Sequence, residues 1–195
     1  VDDQPLYIFD KSILSHPSLA GMYTVPDLFG PDRDMFSLPG KNRPDHRWLI
    51  AGPARSGSAF HKDPNATCAW NAVLVGRKRW IMYPPHQSPP GVHSSPDGAE
   101  VTQPVSLLEW MTEFRPTHLS HGVHRGGVEA ICHPGDVMFV PRGWWHMAFN
   151  LDPFVVAITQ NYAPASQVKH WISFLRTRPS QVSGVPADKA HLLHN

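Results

Sequence analysis

The sequence predicts a mainly β protein built as a jelly-roll barrel, and three observations predict it. Proline occurs 21 times in 195 residues, about twice ordinary usage, which interrupts long helices and favours short strands and turns. Short alternating or branched-aromatic runs recur between Gly/Pro clusters along most of the chain, the pattern of an antiparallel all-β fold. The length suits one domain, and at 41% hydrophobic the chain can bury a full core.

Taken in order, Pro5-Leu6-Tyr7-Ile8-Phe9-Asp10 is a β-prone run that reads as an edge strand packing aromatics on the core. Residues 30–47 are polar, proline-punctuated and read as loop. Arg47 to Ala51 is a strand, and the Gly52–Gly57 turn delivers the chain into the strand that carries His61. Pro64-Asn65 stops that strand. From Cys68 to Val75 the residues alternate, with Ala69, Asn71, Val73 and Val75 sharing one face. Gly76-Arg77 is a tight turn, and on the return strand Lys78, Trp80 and Met82 share a face. A lysine turned inward there must find an anion, because an unpaired buried charge is very costly.

The stretch from Pro84 to Val128 is the least regular, and only Val105 to Phe114 reads as helix, on an apolar stripe of Leu107, Leu108, Trp110 and Met111. Such an insertion is where a substrate-selecting lid is expected. His118, His121 and His124 recur within it, but without paired cysteine spacing they read as loop histidines rather than a zinc site. Val137 to Val140 is a buried-type strand. After Pro141-Arg142-Gly143, the strand through His146, Ala148 and Asn150 puts those three on one face, so Asn150 is expected beside His146. Phe154 to Asn161 closes the core, with Val155, Ala157, Thr159 and Asn161 on one face. A helix over Gln167–Arg176 and a loose tail complete the division into a barrel, residues 1–165 with insertion 84–128, and a C-terminal segment, residues 166–195.

Charge is nearly balanced, 17 basic against 16 acidic residues, so nothing demands a nucleic acid or a membrane surface. Cys68 and Cys132, without framework spacing, read as free thiols of a reducing, intracellular compartment. The start at Val1 reads as a piece of a longer chain.

The chemistry concentrates at three residues. His61 and Asp63 lie two apart, so an extended chain presents an imidazole and a carboxylate on one face. His146 offers a third donor. Two histidines and one carboxylate with the other positions open is the arrangement of non-haem Fe(II) oxygenases. The pair alone is weak: 13 His and 12 Asp in 195 residues give roughly 0.8 chance occurrences of His-x-Asp. Its company gives it weight.

Pro5-Leu6-Tyr7-Ile8-Phe9-Asp10, Tyr23-x-Val25-Pro26, Gly52-Pro53-x-Arg55-Ser56-Gly57, the run from His61 through Lys78-Arg79-Trp80, Pro141-x-Gly143-Trp144-Trp145-His146 and Ala157-Ile158-Thr159-Gln160-Asn161 together resemble the Jumonji-C oxygenases. Within these, the bifunctional arginine demethylase and lysyl-hydroxylase branch is the most similar. The resemblance covers nearly the whole chain. It implies a cupin-like double-stranded β-helix with Fe(II) on His61, Asp63 and His146, and 2-oxoglutarate as cosubstrate. By the same resemblance Lys78 pairs with the cosubstrate's distal carboxylate, Thr159 and Asn71 hydrogen-bond it, and Tyr7 and Ser58 lie against it; Asn150, placed beside His146 by strand parity, joins the cosubstrate-binding candidates. Strand parity puts Ser58 on the opposite face from His61 unless the chain turns between them. The implied activity is hydroxylation of protein side chains, lysyl 5-hydroxylation first and arginine demethylation second. The alternatives are a hydroxylase of Asn, His or RNA, or a non-catalytic scaffold. The implied partner is a protein or peptide presenting Lys or methyl-Arg in the nucleus or cytoplasm, with a homodimer left open.

Overall fold

The computed structural model of the chain describes residues 2, 5–12, 16–18, 21, 23–35, 45–96, 98–104 and 106–184. The expected loose tail lies outside the described residues from 185 onward. The strands are β1 (Ile8–Asp10), β2 (Arg47–Gly52), β3 (Gly57–His61), β4 (Cys68–Val75), β5 (Lys78–Tyr83), β6 (His93–Ser94), β7 (Val101–Thr102), β8 (Val128–Cys132), β9 (Val137–Val140), β10 (Trp145–Asn150) and β11 (Val155–Tyr162). They form two antiparallel sheets, ordered β1-β2-β11-β4-β9 and β3-β10-β5-β8, and a small β6-β7 hairpin within the insertion.

Consecutive strands mostly change sheets, which is what winds the chain into a jelly roll. The Gly76-Arg77 turn is one such crossing. The return strand β5 therefore does not pair with β4; it lies between β10 and β8 in the other sheet. Its alternation still points Trp80 and Met82 inward, where they meet Ala69, Val73, Cys132, Val140 and Ala148 in the layer between the sheets. Phe29, Trp70, Ile158 and Tyr162 cover the outer side of the five-stranded sheet. β1 pairs only with β2, with Phe9 opposite Ile50, as an edge strand.

Two features of the insertion differ from the sequence reading. Its helical run continues from Leu107 to Arg125 instead of ending at Phe114, as α-helical turns at Leu107–Glu109 and Arg115–Thr117, wider π turns at Trp110–Phe114 and His118–Gly122, and a final turn at Val123–Arg125. Ser106 caps its start, accepting from the Glu109 amide at 3.0 Å, and Gly126 ends it at φ 88°. The widened turn before Pro116 accommodates a residue that has no N–H to give to an ordinary helical ladder. The run also lies behind the four-stranded sheet and not over the barrel mouth. Trp110 and Val92 are buried there against Phe60, Ile81, Tyr83, Trp145 and Met147. His118, fully buried, is hydrogen-bonded to the Tyr83 hydroxyl at 2.7 Å. The C-terminal helix spans Val168–Thr177, one residue later than expected.

Candidate metal centre and its cavity

His61 ends β3, and Asp63 follows on extended backbone at φ −61° and ψ 145°. His146 lies directly across the β3–β10 ladder from His61, so the two imidazole centroids are 4.1 Å apart. His146 Nε2 is 3.8 Å from Asp63 Oδ2. One donor atom from each of the three side chains falls within 4.8 Å of the others, a spacing that lets them share one cation.

The surroundings orient these donors. His61 Nδ1 is hydrogen-bonded to the Ala59 carbonyl at 2.8 Å and His146 Nδ1 to the Trp144 carbonyl at 3.1 Å. Each ring therefore carries its proton on Nδ1 and keeps the Nε2 lone pair for a metal. Asn161 Nδ2 donates to Asp63 Oδ1 at 3.2 Å and to Thr67 Oγ1 at 3.0 Å. The other carboxylate oxygen, Asp63 Oδ2, is buried without a hydrogen-bond partner. An orphaned buried oxygen is costly unless a cation takes it. Burial pushes the Asp63 carboxyl up to about 6 against the opposing pull of His61 and Asn161. Burial beside His61 holds His146 well below its usual range, in the neutral form that binds metals. The residues present fit a divalent cation.

The three donors line one wall of a cavity of about 250 Å³ that also contains Ser58, Asn71, Lys78 and Thr159. Lys78 is 2% exposed, and among the described residues no carboxylate is paired with it. Burial brings its ammonium down to about 8, with the Cys132 thiol pulling weakly the other way. Asn71 faces Thr159 across the β4–β11 ladder, and its Oδ1 is buried without a hydrogen-bond partner. The Thr159 hydroxyl donates to the Trp70 carbonyl at 3.0 Å and so presents its oxygen lone pairs to the cavity.

Ser58 reaches the His61 side of β3 despite the odd spacing because the register slips. His61 is opposite His146, but Ser58 is opposite Ala148, so β3 carries one extra residue in a bulge that returns Ser58 to the inner face. Gly57 permits the close approach, since a β-carbon there would collide with the Ala148 carbonyl. Tyr7 stands behind Ser58, the two hydroxyls 2.9 Å apart. Asn150 departs from expectation. It is not on the cavity wall; its side-chain amide donates to Ser56 Oγ at 3.0 Å, and its backbone pairs with Arg55 and Ser56. It anchors the Gly52–Gly57 turn. The role of Asn161 in holding Asp63 was missed, although its two-residue spacing from Thr159 placed it on the same face. Phe9 stacks on Trp48 at 5.2 Å, and both line the cavity.

The chain matches the family described as Cupin-like domain over residues 24–168. It is 48% identical over 176 residues to arginine-specific demethylase JMJ22 of Arabidopsis thaliana, covering 90% of this chain and 34% of that protein. It is 37% identical over 195 residues to the bifunctional arginine demethylase and lysyl-hydroxylase psr-1 of Caenorhabditis briggsae, covering 91% and 46%. With the 2-oxoglutarate and iron-dependent oxygenase JMJD4 of Mus musculus it shares 29% identity over 160 residues, covering 81% and 36%. The chain thus spans a third to a half of the length of these relatives. The extent of the family match and the two facing sheets that carry the His-Asp-His cluster lead to one conclusion: the chain belongs to the cupin-like domain family, among its Jumonji-C members.

Proposed function

We propose that this domain is an Fe(II)- and 2-oxoglutarate-dependent dioxygenase that hydroxylates protein side chains, with lysyl 5-hydroxylation ahead of arginine demethylation. The observation that carries the reading is Lys78: a buried ammonium without a carboxylate partner among the described residues, in the same small cavity as an orphaned carboxylate oxygen and two oriented imidazoles. A dicarboxylate spanning the cavity answers both needs, one end at the cation site and the other on Lys78. The names of the relatives, which include 2-oxoglutarate and iron-dependent oxygenases, demethylases and a lysyl-hydroxylase, support the same assignment.

His61, Asp63 and His146 would hold the ion, and three protein donors would leave positions for the cosubstrate and dioxygen. A ferrous ion held there would supply the redox chemistry in which one oxygen atom of dioxygen goes to succinate as 2-oxoglutarate loses carbon dioxide and the other is inserted into a substrate C–H bond. Lys78 binds the distal carboxylate as a charge-assisted donor. The Asn71 amide and the Ser58 hydroxyl, backed by Tyr7, orient the cosubstrate, and the Trp80 and Ala148 walls exclude water. The buried free thiols Cys68 and Cys132 suit a reducing compartment, nuclear or cytoplasmic.

The test is incubation with Fe(II), 2-oxoglutarate and peptides bearing lysine or methylated arginine, read by mass spectrometry and succinate release. The reading expects a gain of one oxygen on lysine or loss of a methylene from methyl-arginine. Succinate without either mass change on any peptide would overturn the substrate assignment, and no succinate at all would overturn the oxygenase.

A further inference from the structure

Lys78 lines the cavity of about 250 Å³ while only 2% exposed to solvent. It lies opposite Cys132 on the β5–β8 ladder and opposite Asn150 on the β10–β5 ladder, so neither neighbouring strand brings it a carboxylate. Across the cavity, β4 and β11 contribute Asn71 and Thr159, which are neutral as well. The carboxylate on the lining, Asp63, belongs to the metal centre with His61 and His146. The titratable group that acts on Lys78 is the Cys132 thiol, itself kept neutral by burial and by Asp136. Burial therefore favours the uncharged amine and brings the lysine down to about 8. At that pH about half of the side chain is free amine, against roughly 0.3% of a lysine at its ordinary 10.5.

A free amine is a nucleophile, and the cavity restricts what reaches it. Ile50, Ala69, Val140 and Ala148 form apolar parts of the wall, which a small uncharged molecule passes without giving up a hydration shell. Two polar atoms on the same lining lack partners. Trp80 follows Lys78 by two positions on one face of β5, and its Nε1 is buried without a hydrogen-bond partner; Asn71 Oδ1 is in the same condition. One is a donor and the other an acceptor. Together they suit a group that carries both an anionic oxygen and an N–H.

We propose that Lys78 is a carbon dioxide site, at which its free amine adds to the gas and forms a carbamate. The nitrogen lone pair bonds to the carbon, one C=O electron pair moves onto oxygen, and the nitrogen releases a proton to solvent. Amine and carbon dioxide thus give a carbamate anion and a proton, with no oxidant or reductant involved. The Trp80 indole donates to a carbamate oxygen, and Asn71 Oδ1 accepts the carbamate N–H. The adduct removes the cation that the distal carboxylate of 2-oxoglutarate needs, so gas and cosubstrate exclude one another. That consequence rests on the oxygenase reading, in which carbon dioxide is a product and would slow the next round; the uptake of the gas does not rest on it.

The test uses metal-free protein at pH about 8, equilibrated with carbon-13-labelled bicarbonate and the dissolved carbon dioxide it supplies, and read by carbon-13 NMR. An alkylating oxonium reagent then fixes any carbamate as its ester for peptide mass spectrometry. A carbamate resonance distinct from that of bicarbonate is expected, with the ester on the Lys78 peptide. Both are lost in Lys78→Arg, which keeps the cation but has no free amine at this pH, while the α-amino carbamate persists as an internal reference. Trp80→Phe lowers the Lys78 signal several-fold, and saturating 2-oxoglutarate abolishes it. The absence of a Lys78 ester, a lysine carbamate resonance undiminished in Lys78→Arg, or a change in the bicarbonate signal alone, which marks an ion held by the ammonium without a covalent bond, would overturn the proposal. A Lys78 carbamate that 2-oxoglutarate fails to displace upholds the gas site and overturns instead the place of Lys78 in the cosubstrate reading.

Discussion

The two faces of the sheet β3-β10-β5-β8 come from the same four strands, yet they do opposite things with polar groups. On the outer face Phe60, Ile81, Trp145 and Met147 pack under the insertion helix, and the charged groups there have a partner of opposite or complementary character, although Arg79 Nε and His118 Nε2 make no hydrogen bond. Glu129 takes Arg115 at 2.8 Å and Arg79 at 3.3 Å, and Tyr83 takes His118. On the inner face, alternate residues of the same strands leave Lys78 without a carboxylate among the described residues, while across the cavity Asp63 Oδ2 and Asn71 Oδ1 lack hydrogen-bond partners. A face whose polar groups pair with one another stabilises; a face that leaves them unanswered holds binding capacity at a cost in stability.

Substitutions on the two faces should therefore move stability in opposite directions. Trp110→Ala on the outer side removes a ring at 2% exposure and is expected to cost about 3–5 kcal/mol, measured by urea denaturation without ligands. Lys78→Met on the inner side is expected to stabilise the ligand-free protein by about 1–3 kcal/mol, yet to weaken 2-oxoglutarate binding roughly a hundredfold or more. Calorimetric titration in parallel with denaturation checks both. A loss of stability in Lys78→Met would erase the contrast.

The same lysine gives the contrast a pH signature. Its folded value is about 8 against an ordinary 10.5. Between those values the unfolded chain holds a proton that the folded chain has released, so ligand-free stability should rise with pH through that window. Cosubstrate affinity should run the other way and fall above pH about 8 as the ammonium is lost. Thermal melts and binding isotherms from pH 7 to pH 10 test this pair of opposed slopes. The smallest effect is expected at Asn161. Asn161→Ala frees Asp63 Oδ1 and should weaken Fe(II) binding by about 10–100-fold, read by metal titration, with 2-oxoglutarate held at saturation.

What could be read in the sequence follows from the range of each signal. Alternation is local, so the shared face of Lys78 with Trp80 and Met82, that of Asn71 with Val73 and that of His61 with Asp63 were legible from spacing, whereas which face turns inward at Lys78 rested on the family resemblance. Ser58 was not, because its face depends on a register slip against β10, where its partner Ala148 lies 148 − 58 = 90 positions away in the chain. Nor was the role of Asn150, whose parity with His146 is right but whose strand end runs past the cavity to the Gly52–Gly57 turn. The carbonyls of Ala59 and Trp144 that orient the imidazoles leave no mark in side-chain identity. The helix was read only to Phe114 because its apolar stripe at a period of 3.6 residues ends at Met111, and the widened turns that carry it on to Arg125 are invisible to that period. The insertion looked like a lid because it separates the metal residues in sequence, whereas its helical run is drawn behind the sheet by the outward residues of β3, β5 and β10 and, among its described residues, only the Pro85 and Gly98–Ala99 loops border the space beside Asp63.

The pairing of His61 with His146 across one ladder has a mechanical side. They are 146 − 61 = 85 positions apart, and the enclosed chain holds the insertion helix, the two-stranded hairpin and four barrel strands. An ion gripped at both ends ties off that long segment as a removable clasp, restricting the unfolded ensemble much as a covalent bridge does. Chelation then unfastens more than a reaction centre: it releases the knot that keeps the first and last thirds of the barrel in register.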